Sequence, residues 1–307
     1  MAHVTTSDGV RLHYETWGFA SRPAVLFIQG LGTDKHGWDL QRIALAPFFR
    51  VIAFDNRGAG RSDKPEGPYS LERMADDAIE VLDACGIERA HVVGASMGGV
   101  ITQLVYARHA HRVKSMTLAC TACRHHPWRR QLLKKWAERG QQVGMSQMSR
   151  EAARWVIGPR SFRRLLPAFG WLGPLALGRT PHSFAAQVDA ILASSDDAAE
   201  MLSEVDVPTL VIVGNQDILT PRGDSEELAE RIPGAELVVI SGAAHGLMIE
   251  HASTFNSFLL DFLQRAEASL AAASASVRES QSTASPPRPT RRSARQGRSL
   301  HLVDTAQ

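Results

Sequence analysis

The chain has 307 residues, 44% of them apolar and 21% charged, a composition that excludes bulk disorder and allows one large domain or two modest ones. Three cysteines, Cys85, Cys120 and Cys123, exclude a disulfide scaffold and fit a reducing compartment. A net charge of +2 favours no strongly charged partner if it is evenly spread, and it is not.

The opening Met-Ala-His-Val-Thr-Thr-Ser-Asp-Gly carries neither a basic n-region nor an apolar h-region, and the most apolar stretches, 24–28 and 170–178, are too short to span a bilayer. The expectation is a cytoplasmic protein with no membrane span. Val10 to Trp17 alternates apolar and polar residues, as a half-exposed edge strand does. The runs Ala24–Ile28, Arg50–Phe54, His91–Gly94, Val113–Ala119, Thr209–Gly214 and Glu236–Ile240 are rich in Val, Ile, Leu and Phe. Such runs suit strands buried on both faces of a parallel sheet. Between two of them Leu71, Met74, Ala75, Ala78, Ile79, Leu82 and Cys85 recur at helical spacing, and Gly86 supplies the stop. Strands that alternate with helices predict an α/β fold with a mostly parallel sheet.

The alternation breaks from Arg124 to about Val205, where the pattern is helical and Pro127, Pro159, Pro167, Pro174 and Pro181 divide it into short helices. An insertion of this kind predicts a helical cap over the carboxyl ends of the strands, where α/β sheets bind ligands. From Ala268 onward the chain is rich in Ala, Ser and Arg and has no aromatic residue, which predicts a disordered basic tail. The predicted organisation is therefore core over 1–123, cap over 124–205, core again over 206–267 and tail over 268–307.

The chemistry centres on Val92-Val93-Gly94-Ala95-Ser96-Met97-Gly98-Gly99. A buried strand ends, a serine stands between glycines and a helix begins; the tight turn aims the Ser96 hydroxyl outward at the positive end of the next helix. A serine hydroxyl needs a base to become a nucleophile. Of the twelve histidines, His245 follows a strand end directly, on a loop that faces the same crevice. Asp217, just past the strand that ends at Gly214, can orient that base, although alone it would read as a helix cap before Thr220 and Pro221. The backbone N–H groups of Met97 and of Leu31, in Gln29-Gly30-Leu31-Gly32, are the candidate oxyanion donors.

With Ser96, Asp217 and His245 in that order, the sequence resembles the α/β-hydrolase fold superfamily over about residues 4–265. Asp55-Asn56-Arg57-Gly58-Ala59-Gly60-Arg61-Ser62 is similar to its D-x-R-G-x-G-x-S loop. Among its branches the motifs resemble most those of 3-oxoadipate enol-lactonases and small bacterial esterases. Gln29-Gly30 stands where that branch has His-Gly, and His251-Ala252 where it has Gln-Pro. The resemblance implies an eight-stranded, mostly parallel sheet with helices on both faces and a cap. It also implies a serine hydrolase that cleaves a small-molecule carboxylic ester or lactone without cofactor or metal. Perhydrolysis by cofactor-free haloperoxidases, C–C bond hydrolysis by the same triad and a non-catalytic ligand receptor stay open as alternatives. Haloalkane dehalogenases and epoxide hydrolases are excluded, since they need a carboxylate where Ser96 stands.

Two weaker signals remain. Cys120-Thr-Ala-Cys123 spells C-x-x-C, but it lacks a second ligand pair, so packing is the better reading. The segment from Arg124 to Thr180 carries twelve Arg or Lys against Glu138 and Glu151, a net of +10, and the tail carries +4, which leaves −12 for the rest. The basic cap could steer anionic substrates or simply pair with the acidic body below; pairing is favoured, because steering requires the charges to line the entrance. The tail arginines, with no aromatic to stack bases, predict no nucleic-acid partner.

Overall fold

The computed structural model describes residues 2–159, 161, 180–194 and 199–283. Met1–Glu267 forms one compact unit, and Ala268–Gln307 is a second unit. The first unit is built on an eight-stranded sheet of order β1-β2-β4-β3-β5-β6-β7-β8. Its strands are β1 (Ala2–Thr5), β2 (Arg11–Trp17), β3 (Ala24–Ile28), β4 (Arg50–Phe54), β5 (Ala90–Ala95), β6 (Val113–Ala119), β7 (Thr209–Gly214) and β8 (Glu236–Ile240). From β4 through β8 every pairing is parallel, whereas β2 runs antiparallel to both β1 and β4.

The buried strands work as their sequences predict. Along β3, Leu26 and Ile28 face one hydrophobic layer, and Val25 and Phe27 face the other. Side chains alternate across a strand, so a strand covered on both faces is apolar at every position. On the first face lie α2 (Leu71–Ala84) and α3 (Met97–His109). On the second, Trp38 and Leu45 of the segment that includes α1 (Asp39–Leu45) pack with Phe255, Leu259 and Phe262 of the last helix. Helix α2 starts where Ser70 accepts a hydrogen bond from the Arg73 N–H, and it ends before Gly86, whose φ of +65° suits a residue without a Cβ.

Two expectations need correction. The strand predicted as an edge lies inside the sheet, because Ala2–Thr5 pairs along its outer side. Those four residues are mostly exposed and carry no apolar run, so their pairing leaves little trace in the sequence. The segment after Ala268 was expected to be irregular, yet the last helix runs from Ala252 to Thr283. Alanine-rich sequence extends a helix that is already nucleated at little cost; residues 284–307 lie outside the described part.

In the cap, α4 (Pro127–Val143) and α6 (Pro181–Ala193) each begin with a proline at the first turn, where its missing N–H costs nothing. Between them is α5 (Met145–Val156). Pro167 and Pro174 fall outside the described residues, and no strand occurs among the described residues of 124–205. Beyond β8 lies the short α8 (Leu247–Glu250), with α7 (Arg222–Arg231) before it and α9 (Ala252–Thr283) after it. Among the described residues no helix is long and apolar enough to cross a membrane.

Glu267 anchors α9 to the sheet, accepting from His91 Nε2 at 2.8 Å and from Lys114 Nζ at 2.6 Å. Burial lowers the His91 pKa, against the pull of the Glu267 carboxylate. The His91 hydrogen bond, opposed by burial and aided by Lys114, pulls the Glu267 carboxyl from 4.5 to about 2. A carboxylate with a lowered folded-state pKa contributes its full stabilisation above its unfolded value and loses it as pH falls through the folded one. Urea unfolding followed from pH 7 to pH 2 should therefore show Glu267→Gln less stable than the parent at pH 7. The difference should shrink as pH drops from 4.5 towards 2.

Candidate active site

Ser96 sits at the junction of β5 and α3 with φ 54° and ψ −120°, a conformation that a residue with a side chain rarely adopts. Three hydrogen bonds hold it there. Its N–H donates to Ala119 O at 2.9 Å, and its carbonyl accepts from Gly99 N–H at 2.9 Å and from the Thr121 hydroxyl at 2.7 Å. The glycines around it are demanded by backbone contact: a Cβ on Gly94 would strike the Gly98 carbonyl, and one on Gly98 would strike the Ile28 carbonyl of the neighbouring strand. The turn can form only because both positions lack side chains.

The loop after β7 carries Asp217 and the loop after β8 carries His245, so the parallel sheet brings both to the same edge as Ser96. His245 Nδ1 lies 2.8 Å from Asp217 Oδ2, and both side chains are buried. The other Asp217 oxygen accepts from the N–H groups of Leu219 and Thr220, each at 2.9 Å. Burial pushes the Asp217 carboxyl up, but the facing imidazole and the Thr220 hydrogen bonds outweigh it and hold the group below the usual carboxylate range. An ionised Asp217 only accepts, so His245 Nδ1 carries the proton in this pair and Nε2 is left as the basic nitrogen.

Ser96, Met97, Leu31 and His245 all line one cavity of about 1080 Å³. Met97 is the first residue of α3, so its N–H belongs to the turn that has no intrahelical acceptor. Leu31 follows Gly30, where an added Cβ would come within 3.3 Å of the Ser96 Cβ. Gln29 is buried: its side-chain oxygen accepts from the Gly30 N–H at 2.7 Å, and Asn56 donates to its carbonyl at 2.9 Å. It thus fixes the bend that aims Leu31 at the cavity. Cys120 and Cys123 are free and buried, and Cys120 lies in the cavity wall behind Ser96. Among the described residues no cluster of His, Cys, Asp or Glu has the makings of a metal site.

Sequence reasoning missed three residues here. Thr220 donates its hydroxyl to Asp217 Oδ2 at 2.8 Å, while its oxygen lies 3.1 Å from His245 Nδ1, so it bridges the pair. Glu250, also buried, accepts from Ala244 N–H at 3.3 Å and from Gly158 N–H of the cap at 2.9 Å. Arg129 reaches down from α4 to Asp224 and donates to the Leu219 carbonyl at 2.8 Å. Thr220 and Glu250 were visible as neighbours of the motifs. Nothing in the sequence distinguishes Arg129 from the other cap cations.

Similarity to known proteins agrees with this geometry. The chain matches the family described as alpha/beta hydrolase fold over residues 23–143 and 160–252. It is 31% identical over 262 residues to 3-oxoadipate enol-lactonase 2 of Acinetobacter baylyi, covering 82% of this chain and 92% of that protein. It is 30% identical over 270 residues to the provisionally named carbamate hydrolase RutD of Caulobacter segnis, covering 85% and 98%. The crystal structure of the enol-lactonase from Burkholderia xenovorans LB400 superposes with a TM-score of 0.80 at 29% identity, covering 86% of this chain and all of that one. Strand order, the glycine-flanked serine turn and sequence similarity thus lead to one conclusion: this chain belongs to the α/β-hydrolase fold family.

Proposed function

We propose that the protein is a serine hydrolase that cleaves a small-molecule carboxylic ester or lactone, working in the cytoplasm without cofactor or metal. The observation that carries this reading is that Ser96 and a histidine hydrogen-bonded to a buried carboxylate share one cavity wall. Ser96 Oγ attacks the substrate carbonyl carbon while His245 Nε2 accepts the hydroxyl proton. The oxyanion of the tetrahedral intermediate receives the N–H groups of Leu31 and Met97, and the positive end of α3 favours the developing charge. Collapse expels the alkoxide, to which His245 returns the proton, and leaves the acyl group on Ser96. A water then attacks the acyl-enzyme with His245 as base, which releases the acid and restores the serine. Asp217 stays ionised throughout, stabilises the imidazolium and fixes its ring; Thr220 holds the two in register.

Two measurements test this. Ser96→Ala should lower turnover of p-nitrophenyl butyrate by roughly 10⁴- to 10⁶-fold, and a fluorophosphonate probe should label the parent protein but not the variant. Retained turnover, or labelling that survives the substitution, would remove Ser96 from the reaction. Asp217→Asn should cost about 10⁴-fold in kcat, because the amide no longer selects the Nδ1–H tautomer.

A further inference from the structure

The cavity tells more about the substrate than the triad does. Its volume of about 1080 Å³ lies just above the range, roughly 300–1,000 Å³, that encloses drug-sized molecules. Its roof comes from apolar faces of the cap helices. Leu133 and Trp136, one helical turn apart on α4, meet Met148, Ala152, Ala153 and Val156 at helical spacing on α5. Two adjacent alanines in the middle of that roof leave open the space that a larger side chain would fill. The body beneath adds further apolar wall, so a compact, highly polar substrate would leave most of the cavity without contacts.

Charge points the same way. Of the basic cap residues, Arg129 and Arg150 reach the described wall. Arg129 is spent on Asp224 and on the carbonyls of Leu219 and Arg124. Asp34, Asp39 and Glu250 stand on the same wall. Among the described lining residues there is thus no surplus of positive charge to hold a substrate carboxylate, despite the +10 of the segment from Arg124 to Thr180.

Building on the ester or lactone reading, we propose that the substrate is neutral and carries a large apolar group. That group would be an alkyl chain of about six to ten carbons, or a ring of similar bulk, seated beneath α5 around Ala152 and Ala153. α5 then acts as the specificity element: the small side chains at its centre set how much apolar body the site accepts.

The test uses the full-length protein, with hydrolysis followed by proton release. Methyl alkanoates from acetate to octanoate place the chain on the acyl side; alkyl acetates from methyl to octyl place it on the alcohol side. In at least one series kcat/KM should climb by about fourfold per methylene, the equivalent of ~0.8 kcal/mol for each CH₂ buried. Monomethyl suberate matches methyl octanoate in length but ends in a carboxylate, and it should react at least tenfold more slowly. Ala153→Trp, and Ala153→Leu as a milder variant, should each lower the ratio of the long to the short substrate in the series that climbs. Flat series, suberate equal to octanoate, or a ratio that neither variant changes would overturn the proposal. Fluorophosphonate labelling of Ser96 keeps the outcomes distinct. Labelling with flat series defeats the substrate assignment alone, whereas no labelling defeats the serine hydrolase reading beneath it.

Discussion

The site depends on one backbone constraint, the left-handed conformation of Ser96. A non-glycine residue held there costs on the order of 1–3 kcal/mol, and the turn persists because its surroundings determine it several times over. The Ser96 N–H is claimed by Ala119 of β6, and its carbonyl by Gly99 and Thr121. Gly98 packs against the backbone of β3. The elbow is thus clamped between the two strands that flank β5, which requires β5 to lie between β3 and β6. Strand order and the position of the serine are therefore a single requirement: a β5 at the sheet edge would lack one wall of the clamp.

Charge also joins the cap to the body. Two of the cap's cations meet acids on the helix that follows the Asp217 loop. Arg129 pairs with Asp224 and Arg124 with Glu227, both on α7, while Arg139 pairs with Glu151 inside the cap. The Arg129–Asp224 pair is buried, so its worth lies less in net attraction than in the penalty for separating it, since a lone buried charge costs several kcal/mol. The two pairs to α7 fasten the cap to the body.

How much of this could be read from the sequence follows from where the free energy lies. Five of the six predicted strands match in both bounds, and burial on both faces writes the apolar run into those inside the sheet; β8, expected to be buried, is instead a half-exposed edge strand, and the sixth, β5, extends one residue further at each end. Ser96, Asp217 and His245 stood out because each follows such a run. β1 left no trace because its pairing is backbone hydrogen bonding by exposed residues. The helix that continues to Thr283 was missed because poor core-forming composition was equated with irregular structure, whereas a helix satisfies its own backbone without a core. Glu250 and Arg129 act through contacts between segments distant in sequence, and no periodicity records those.

Those same two residues change the meaning of the cap. Gly246, next to His245, donates to the Val156 carbonyl at the end of α5 at 2.7 Å. Gly158 of the cap donates to Glu250, which also holds Ala244 on the other side of His245. Arg129 holds the Leu219 carbonyl, and the Leu219 N–H in turn binds Asp217. The loops that carry Asp217 and His245 are therefore each tied to the cap, the first through the Arg129 side chain and the second through the Gly246 backbone. Displacing α5 to admit a substrate would break the bond at Gly246 and loosen the histidine loop. A cap joined in this way fixes the geometry of Asp217 and His245 through the same contacts that roof the cavity. Changes on its inner face close to Val156 and Gly158 should then disturb the histidine loop as well as the roof.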